Sequence, residues 1–239
     1  ALADSFRIHG LDYRGHGNST RPAGWDGEPV DWRGCGDDAV LAADTIAPDG
    51  GIVGFGHSMG GAALLMAAAR RPELFDRLVL FEPIVYPPPP VPIDPHDVPL
   101  VRGARRRKAQ FESVEAAYEN YRSKPPLSWF DDAALRAYVD HGFRPVDCST
   151  NSEVELRCAP MFEAATFEGS FGNGVWDMLP SIVTPTLVVT GVVEGDQPSR
   201  FASAVTERLP NGTYLELPHM THFGPFTHIA DVASIIRNP

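Results

Sequence analysis

A serine flanked by glycines and a histidine far downstream are the residues of this chain whose types and spacing can do covalent chemistry. Gly56-His57-Ser58-Met59-Gly60 is a G-x-S-x-G string. The bare string says little, but its setting says more. The apolar run Ile52–Phe55 precedes it, and the Ala- and Leu-rich run Met59–Arg70 follows at once. Strand, sharp turn and helix hold a nucleophile exposed above a sheet, at a helix N-terminus whose free amides stabilise developing negative charge. Neighbouring side chains collide on so tight a turn, which predicts that Gly56 and Gly60 are there for their lack of one. No Lys follows the glycines, so a phosphate-binding loop is excluded.

A serine hydroxyl is a poor nucleophile near neutral pH and needs a base, for which imidazole has a suitable pKa. His222 lies in His222-Phe223-Gly224-Pro225, between the last expected strand and the last expected helix. His219 and His228 compete with it. His219 and His222 as a metal pair are disfavoured: they sit on no evident helix and lack an H-E-x-x-H companion, so neither a metal nor another cofactor is expected. A carboxylate must orient the base, and three are candidates after Ser58 and before His222. Glu82 ends an apolar strand and is followed by Pro83, a place hard to explain by solubility alone. Glu194 follows Gly191-Val192-Val193, just past another strand, and Asp196 is two residues on. Glu82 ranks first, then Glu194, then Asp196.

These residues need a scaffold. Strands are expected at Phe6–Leu11, Ile52–Phe55, Leu78–Phe81, Thr186–Thr190 and Thr213–Leu217. Helices are expected at Asp37–Ile46, Met59–Arg70, Arg102–Tyr121, Asp131–His141, Glu153–Phe167, Ser199–Leu209 and Ile229–Ile236. Apolar strands alternating with helices imply an α/β fold, a mostly parallel sheet covered by helices, with functional loops at the strands' carboxyl ends. Residues 87–99 contain seven prolines, and no strand is expected between about 87 and 180. The chain thus divides into a core of residues 1–86 and 181–239 and a helical insertion of residues 87–180.

With these motifs in order, the whole chain resembles the α/β-hydrolase family. Asp12-Tyr13-Arg14-Gly15-His16-Gly17-Asn18-Ser19 is similar to the family's D-x-R-G-x-G-x-S loop, Gly56–Gly61 to its nucleophile elbow and His222–Pro225 to its catalytic His loop. The resemblance implies a lidded serine hydrolase or esterase, with residues 87–180 as the lid and the Met59 N–H as one oxyanion donor. Some relatives, haloalkane dehalogenases among them, carry the acid where Glu82 stands, and others where Glu194 stands. Serine at the elbow argues against the dehalogenase and epoxide-hydrolase branches, which use Asp there. The resemblance also implies an earlier strand ending in a His-Gly loop that donates the second oxyanion N–H. Only a few residues precede Phe6, so the expectation is an N-terminally incomplete core with that strand encoded upstream of Ala1.

Composition narrows the partners. The 239 residues carry 20 Lys and Arg against 31 Asp and Glu, a net charge of −11, which disfavours nucleic acid. The longest apolar run, Ala62–Ala69, is too short to cross a membrane. Three cysteines without CxxC spacing suit a reducing cytoplasm. Arg102, Arg105, Arg106, Arg107 and Lys108 read as a solvated face, and Asp12, Arg14 and His16 as braces of a tight loop. Trp129, Phe130, Phe162, Phe167, Phe171 and Trp176 read mostly as core of the insertion. The partner is then a small, apolar molecule with an ester-like bond. Lactone, thioester and carbon–carbon bond hydrolysis use the same parts. A non-catalytic hydrolase-like ligand-binding protein, or an inactive fragment, is the rival from another class.

Overall fold

The computed structural model describes residues 2–88, 94–147, 153–193 and 197–238. Its strands, in chain order, are β1 Ile52–His57, β2 Phe75–Phe81, β3 Gln110–Phe111, β4 Phe143–Pro145, β5 Val154–Leu156, β6 Thr186–Thr190 and β7 Gly212–Glu216. The chain forms two compact units. One comprises Ala1–Leu11, Asp31–Pro92 and Ser170–Pro239, the other Asp12–Val30 and Ile93–Gly169. Relative to the boundaries 87–180 expected for the insertion, the second unit starts at Ile93, stops at Gly169 and also takes in Asp12–Val30.

The first unit is built on an all-parallel sheet in the order β1-β2-β6-β7. Every residue of β6, Thr-Leu-Val-Val-Thr, is buried, as befits a strand paired on both sides. Val79, Phe81, Leu187, Val189 and Met220 form a core with Val232 and Ile236 of the last helix, Ile229–Arg237. The helix Trp32–Ile46 starts at Asp31, whose carboxylate accepts the Arg33 N–H at 2.9 Å. It buries Trp32, Cys35, Gly36, Ala39 and Ala43, the stripe a 3.6-residue period predicts. This helix lies against Met59–Arg70, and Gly36 permits the approach: a Cβ there would sit 2.7 Å from Met66 Cβ.

Three expectations about elements need correction. Phe6–Leu11 is not a strand. Its alternation is a local signal, whereas a strand needs a ladder partner, and none of the described residues provides one. The second unit contains a small antiparallel sheet, β3-β5-β4, in the stretch where no strand is expected. Strands of two or three residues are too short to leave a period. This sheet also divides the two longest expected helices. Arg102–Tyr121 becomes Pro99–Arg105, β3 and Val114–Arg122, the last capped by Ser113 Oγ accepting the Ala116 N–H at 3.0 Å. Glu153–Phe167 becomes β5 and Pro160–Glu168, with Pro160 at the first turn of the helix.

In the second unit the loop after Leu11 folds around two glycines. The Asp12 carboxylate accepts the Asn18 N–H at 2.9 Å, and the Asp12 carbonyl accepts the Ser19 hydroxyl at 2.6 Å. Gly17, at φ 51°, makes room for the Asp12 carboxyl. Gly15, at φ 74°, makes room for the Phe162 ring, which is fully buried and meets Trp25 edge-on at 5.0 Å. Asp12 thus braces a tight loop, and His16 helps by donating from Nδ1 to the Arg14 carbonyl at 3.1 Å. Trp129, by contrast, is 54% exposed, and Phe171 and Trp176 belong to the first unit.

Candidate active site

Ser58 stands between the end of β1 and the helix Met59–Arg70, with φ 55° and ψ −121°. A non-glycine residue in that region is strained, and its neighbours must hold it there. The Ser58 N–H donates to the Phe81 carbonyl at 3.1 Å, and the Ser58 carbonyl accepts from Ile84, Gly61 and Ala62. Its hydroxyl makes no capping bond to the helix it precedes, although serine ordinarily does so at such a position. The side chain is left for chemistry. Among the described residues the Met59 N–H, at the helix N-terminus, has no acceptor.

The glycines around Ser58 are not alike. A Cβ on Gly56 would lie 2.7 Å from the Gly60 carbonyl oxygen and the Gly61 nitrogen. A Cβ on Gly61 would lie 2.8 Å from Pro83 Cβ, whereas one on Gly60 would meet open space. The expected steric role of Gly60 is therefore corrected: Gly61 fills it, because the helix's second residue faces away and its third faces the chain leaving β2.

Glu82 follows β2 and is also held at positive φ, 43°. Its N–H donates to the Val189 carbonyl at 2.8 Å. The turn carries its carboxylate to the carboxyl end of β6, where it is 1% exposed. Oε1 accepts the Gly191 N–H at 2.9 Å and the Thr190 hydroxyl at 3.2 Å, and Oε2 accepts His222 Nδ1–H at 2.8 Å. A carboxylate so buried is tolerable because all three donors converge on it. With Nδ1 protonated and bonded, the other nitrogen of the His222 ring keeps its lone pair.

The loop carrying His222 leaves β7 and is fastened at several points. The Val192 N–H donates to the Met220 carbonyl at 2.8 Å. Gly191 permits this closeness, since a Cβ there would sit 2.5 Å from Met220 O. Gly224 leaves room for the Phe81 ring. His57, at the end of β1, donates from Nε2 to the His222 carbonyl at 2.8 Å. Its ring lies 4.6 Å from the His222 ring, 5.4 Å from Phe226 and 6.1 Å from Phe81. Burial and the neighbouring His222 push its pKa down to about 3, so it is neutral at physiological pH.

The structure brings Glu82 to His222, while Glu194 and Asp196 lie outside the described residues. The competitors turn elsewhere: His219 faces Asp231 at 3.5 Å, and His228 Nδ1 is 2.7 Å from the Thr227 hydroxyl. Among the described residues no group of three or more His, Cys, Asp or Glu could hold a metal ion, and no helix is long and apolar enough to cross a membrane. Much of the basic run is engaged within its own unit. Arg105 binds Glu168, Arg107 binds Glu163, and Lys108 sits over the Phe111 ring. Sequence reasoning assigned no role to the side chains of His57 and Thr190 or to the Gly191 N–H, and no steric role to Gly61. Adjacency to Ser58 was the available signal for His57, but its bond spans 165 residues.

The parallel sheet thus carries a strained serine after β1 and a buried carboxylate–histidine pair at the carboxyl ends of the neighbouring strands. A profile described as the alpha/beta hydrolase family matches residues 1–235, and the chain belongs to that family. It is 23% identical over 146 residues to the abhydrolase domain-containing protein AKT2 of Alternaria alternata, covering 61% of this chain and 49% of that protein. Among solved structures it is similar to the peroxisomal alpha-beta-hydrolase Lpx1 of Saccharomyces cerevisiae. The TM-score is 0.75 at 19% identity, covering 93% of this chain and 62% of that one. It is also similar to an E-2-(acetamidomethylene)succinate hydrolase, with a TM-score of 0.75 at 20% identity, covering 95% and 78%. The chain thus spans about half the length of the curated relative and under two thirds of Lpx1.

Proposed function

We propose that this chain is a serine hydrolase that cleaves an ester-like bond of a small, apolar substrate through an acyl-enzyme. The observation that carries this reading is the 2.8 Å bond from His222 Nδ1 to the buried Glu82. It fixes the imidazole in the tautomer whose free nitrogen can take a proton. Ser58 Oγ attacks the substrate carbonyl carbon and its proton passes to that nitrogen. The Met59 N–H donates to the oxygen as it becomes negative. The protonated His222 then gives its proton to the departing alkoxide, and the C–O bond breaks. Water repeats the sequence on the acyl-enzyme, releasing the acid and restoring Ser58.

Ser58 and Glu82 are both held at positive φ, a strain of about 1–3 kcal/mol each that marks functional sites of either kind; catalysis is favoured over mere ligand binding by the His222–Glu82 pair, which leaves an imidazole nitrogen able to take a proton. In this reading free thiols at Cys35 and Cys158 support a reducing, cytoplasmic setting. The test is a panel of p-nitrophenyl esters, thioesters and lactones, with a fluorophosphonate probe. Wild type should turn over an ester and label. Ser58→Ala should lose label and fall in turnover by about 10⁴–10⁶-fold while keeping its fold. Retained turnover and labelling in the variant would remove Ser58 from the mechanism.

A further inference from the structure

His57 and Glu82 stand at the carboxyl ends of adjacent strands: in the β1–β2 register His57 is opposite Phe81, the residue before Glu82. Both reach the same residue of a loop far away in sequence. Glu82 holds the His222 side chain through Nδ1, and His57 holds its main chain through the carbonyl oxygen. The loop's other fastenings lie at Met220 and Gly224, two residues to either side of His222, and a misplacement of about 1 Å in a reacting group can cost on the order of a hundredfold in rate. The grip on the carbonyl comes from the residue bonded directly to Ser58. One short rigid segment therefore sets both the position of the serine and the position of the histidine's backbone.

The chemistry of His57 suits that task. A carbonyl oxygen can only accept, so the bond requires a proton on Nε2. The ring is wedged among Phe81, Phe226 and the His222 ring, which leaves it little freedom to turn. A neutral donor beside a base that becomes positively charged is also preferable to a second cation, which would oppose that charge.

We infer that His57 is a positioning residue: its Nε2–H bond to the His222 carbonyl locks the catalytic-histidine loop to the nucleophile turn. This rests on the roles assigned above to Ser58 and His222. The site it serves loses reach, not substrate affinity, when the lock is removed.

The test uses the full chain and the ester found best in the panel. His57→Phe keeps a ring and removes the donor; His57→Gln places an amide N–H at a similar reach. His57→Phe should lower kcat about ten- to a hundredfold with KM within about threefold, and His57→Gln should recover most of that loss. Thermal unfolding of each variant separates loss of fold from loss of position. Nitrogen-15 NMR of the wild-type imidazoles, which needs no turnover, should find His57 neutral and protonated on Nε2 at neutral pH. Full kcat in folded His57→Phe, an equal loss in folded His57→Gln, or an Nδ1–H tautomer for His57 would each overturn the inference. Undiminished turnover in Ser58→Ala would instead overturn the underlying reading, and the two failures are thereby told apart.

Discussion

The two compact units bury charge in different ways. In the first unit, the buried Glu82 draws donors from Thr190, Gly191 and His222, and one of these is an imidazole with a nitrogen to spare. Glu82 itself and Ser58 are strained, and among the described residues the Met59 N–H is left without an acceptor. In the second unit, Arg107 lies between Glu163 and the hydroxyls of Tyr121 and Tyr138, and its guanidinium also faces both aromatic rings. Burial alone would lower its pKa, but Tyr138, Glu163 and Tyr121 hold it above the ordinary arginine range. Burial, with Glu163 adding to it, pushes the Cys158 thiol up to about 12, which leaves it a poor nucleophile. In the second unit the carboxylate is tied to a cation that cannot give up its proton, whereas in the first it is tied to an imidazole whose second nitrogen can accept one.

Glu82→Gln is the sharpest way to break this contrast. The amide cannot favour the Nδ1–H tautomer of His222, so kcat should fall by about 10³–10⁴-fold with little change in thermal stability. A variant that keeps its rate would put the orienting carboxylate elsewhere. Next is Arg107→Met, which strands Glu163, whose Oε2 already lacks a partner among the described residues. The pair is about one-fifth exposed, so the loss should be about 2–4 kcal/mol in urea unfolding, with kcat changed by no more than a few-fold. A large fall in kcat at unchanged stability would make Arg107 part of the chemistry.

The third test is pH. The unfolded His57 should titrate near 6.5 and the folded one near 3, so between these values the unfolded state binds more protons. Stability from this group is therefore full above about pH 6.5 and is lost as pH falls towards 3, by at most about 1.4 kcal/mol per pH unit. His57→Gln should lose that part of the slope; an unchanged slope would mean that His57 does not carry it. The smallest effect concerns the elbow glycines. Gly60→Ala should be neutral or stabilising by up to about 1 kcal/mol, because its Cβ meets open space within a helix. Gly61→Ala should destabilise through the clash with Pro83. Equal behaviour of the two would undo the distinction between them.

Much of the core was legible because its signals are local. Four of the five expected strands, the elbow and its helix follow from short apolar runs next to glycine and proline. What misled was equally local. Phe6–Leu11 alternates but has no ladder partner among the described residues, and the residues of β3, β4 and β5 are too few to show a period.

For the site, the sequence by itself determined the candidacy of Ser58 and of His222, because a strand–turn–helix string and a glycine-containing loop are read over a few neighbouring residues. It also put Glu82 forward, through its place between an apolar strand and a proline. Only the tertiary structure decided that Glu82 meets His222, 140 residues away, and that His57 holds the same loop from the other side. Strand order lies behind both: β2 sits between β1 and β6, and a parallel ladder collects at one edge the ends of strands that are distant in sequence. No spacing along the chain records that adjacency, since it arises from the pairing of strands rather than from any one of them.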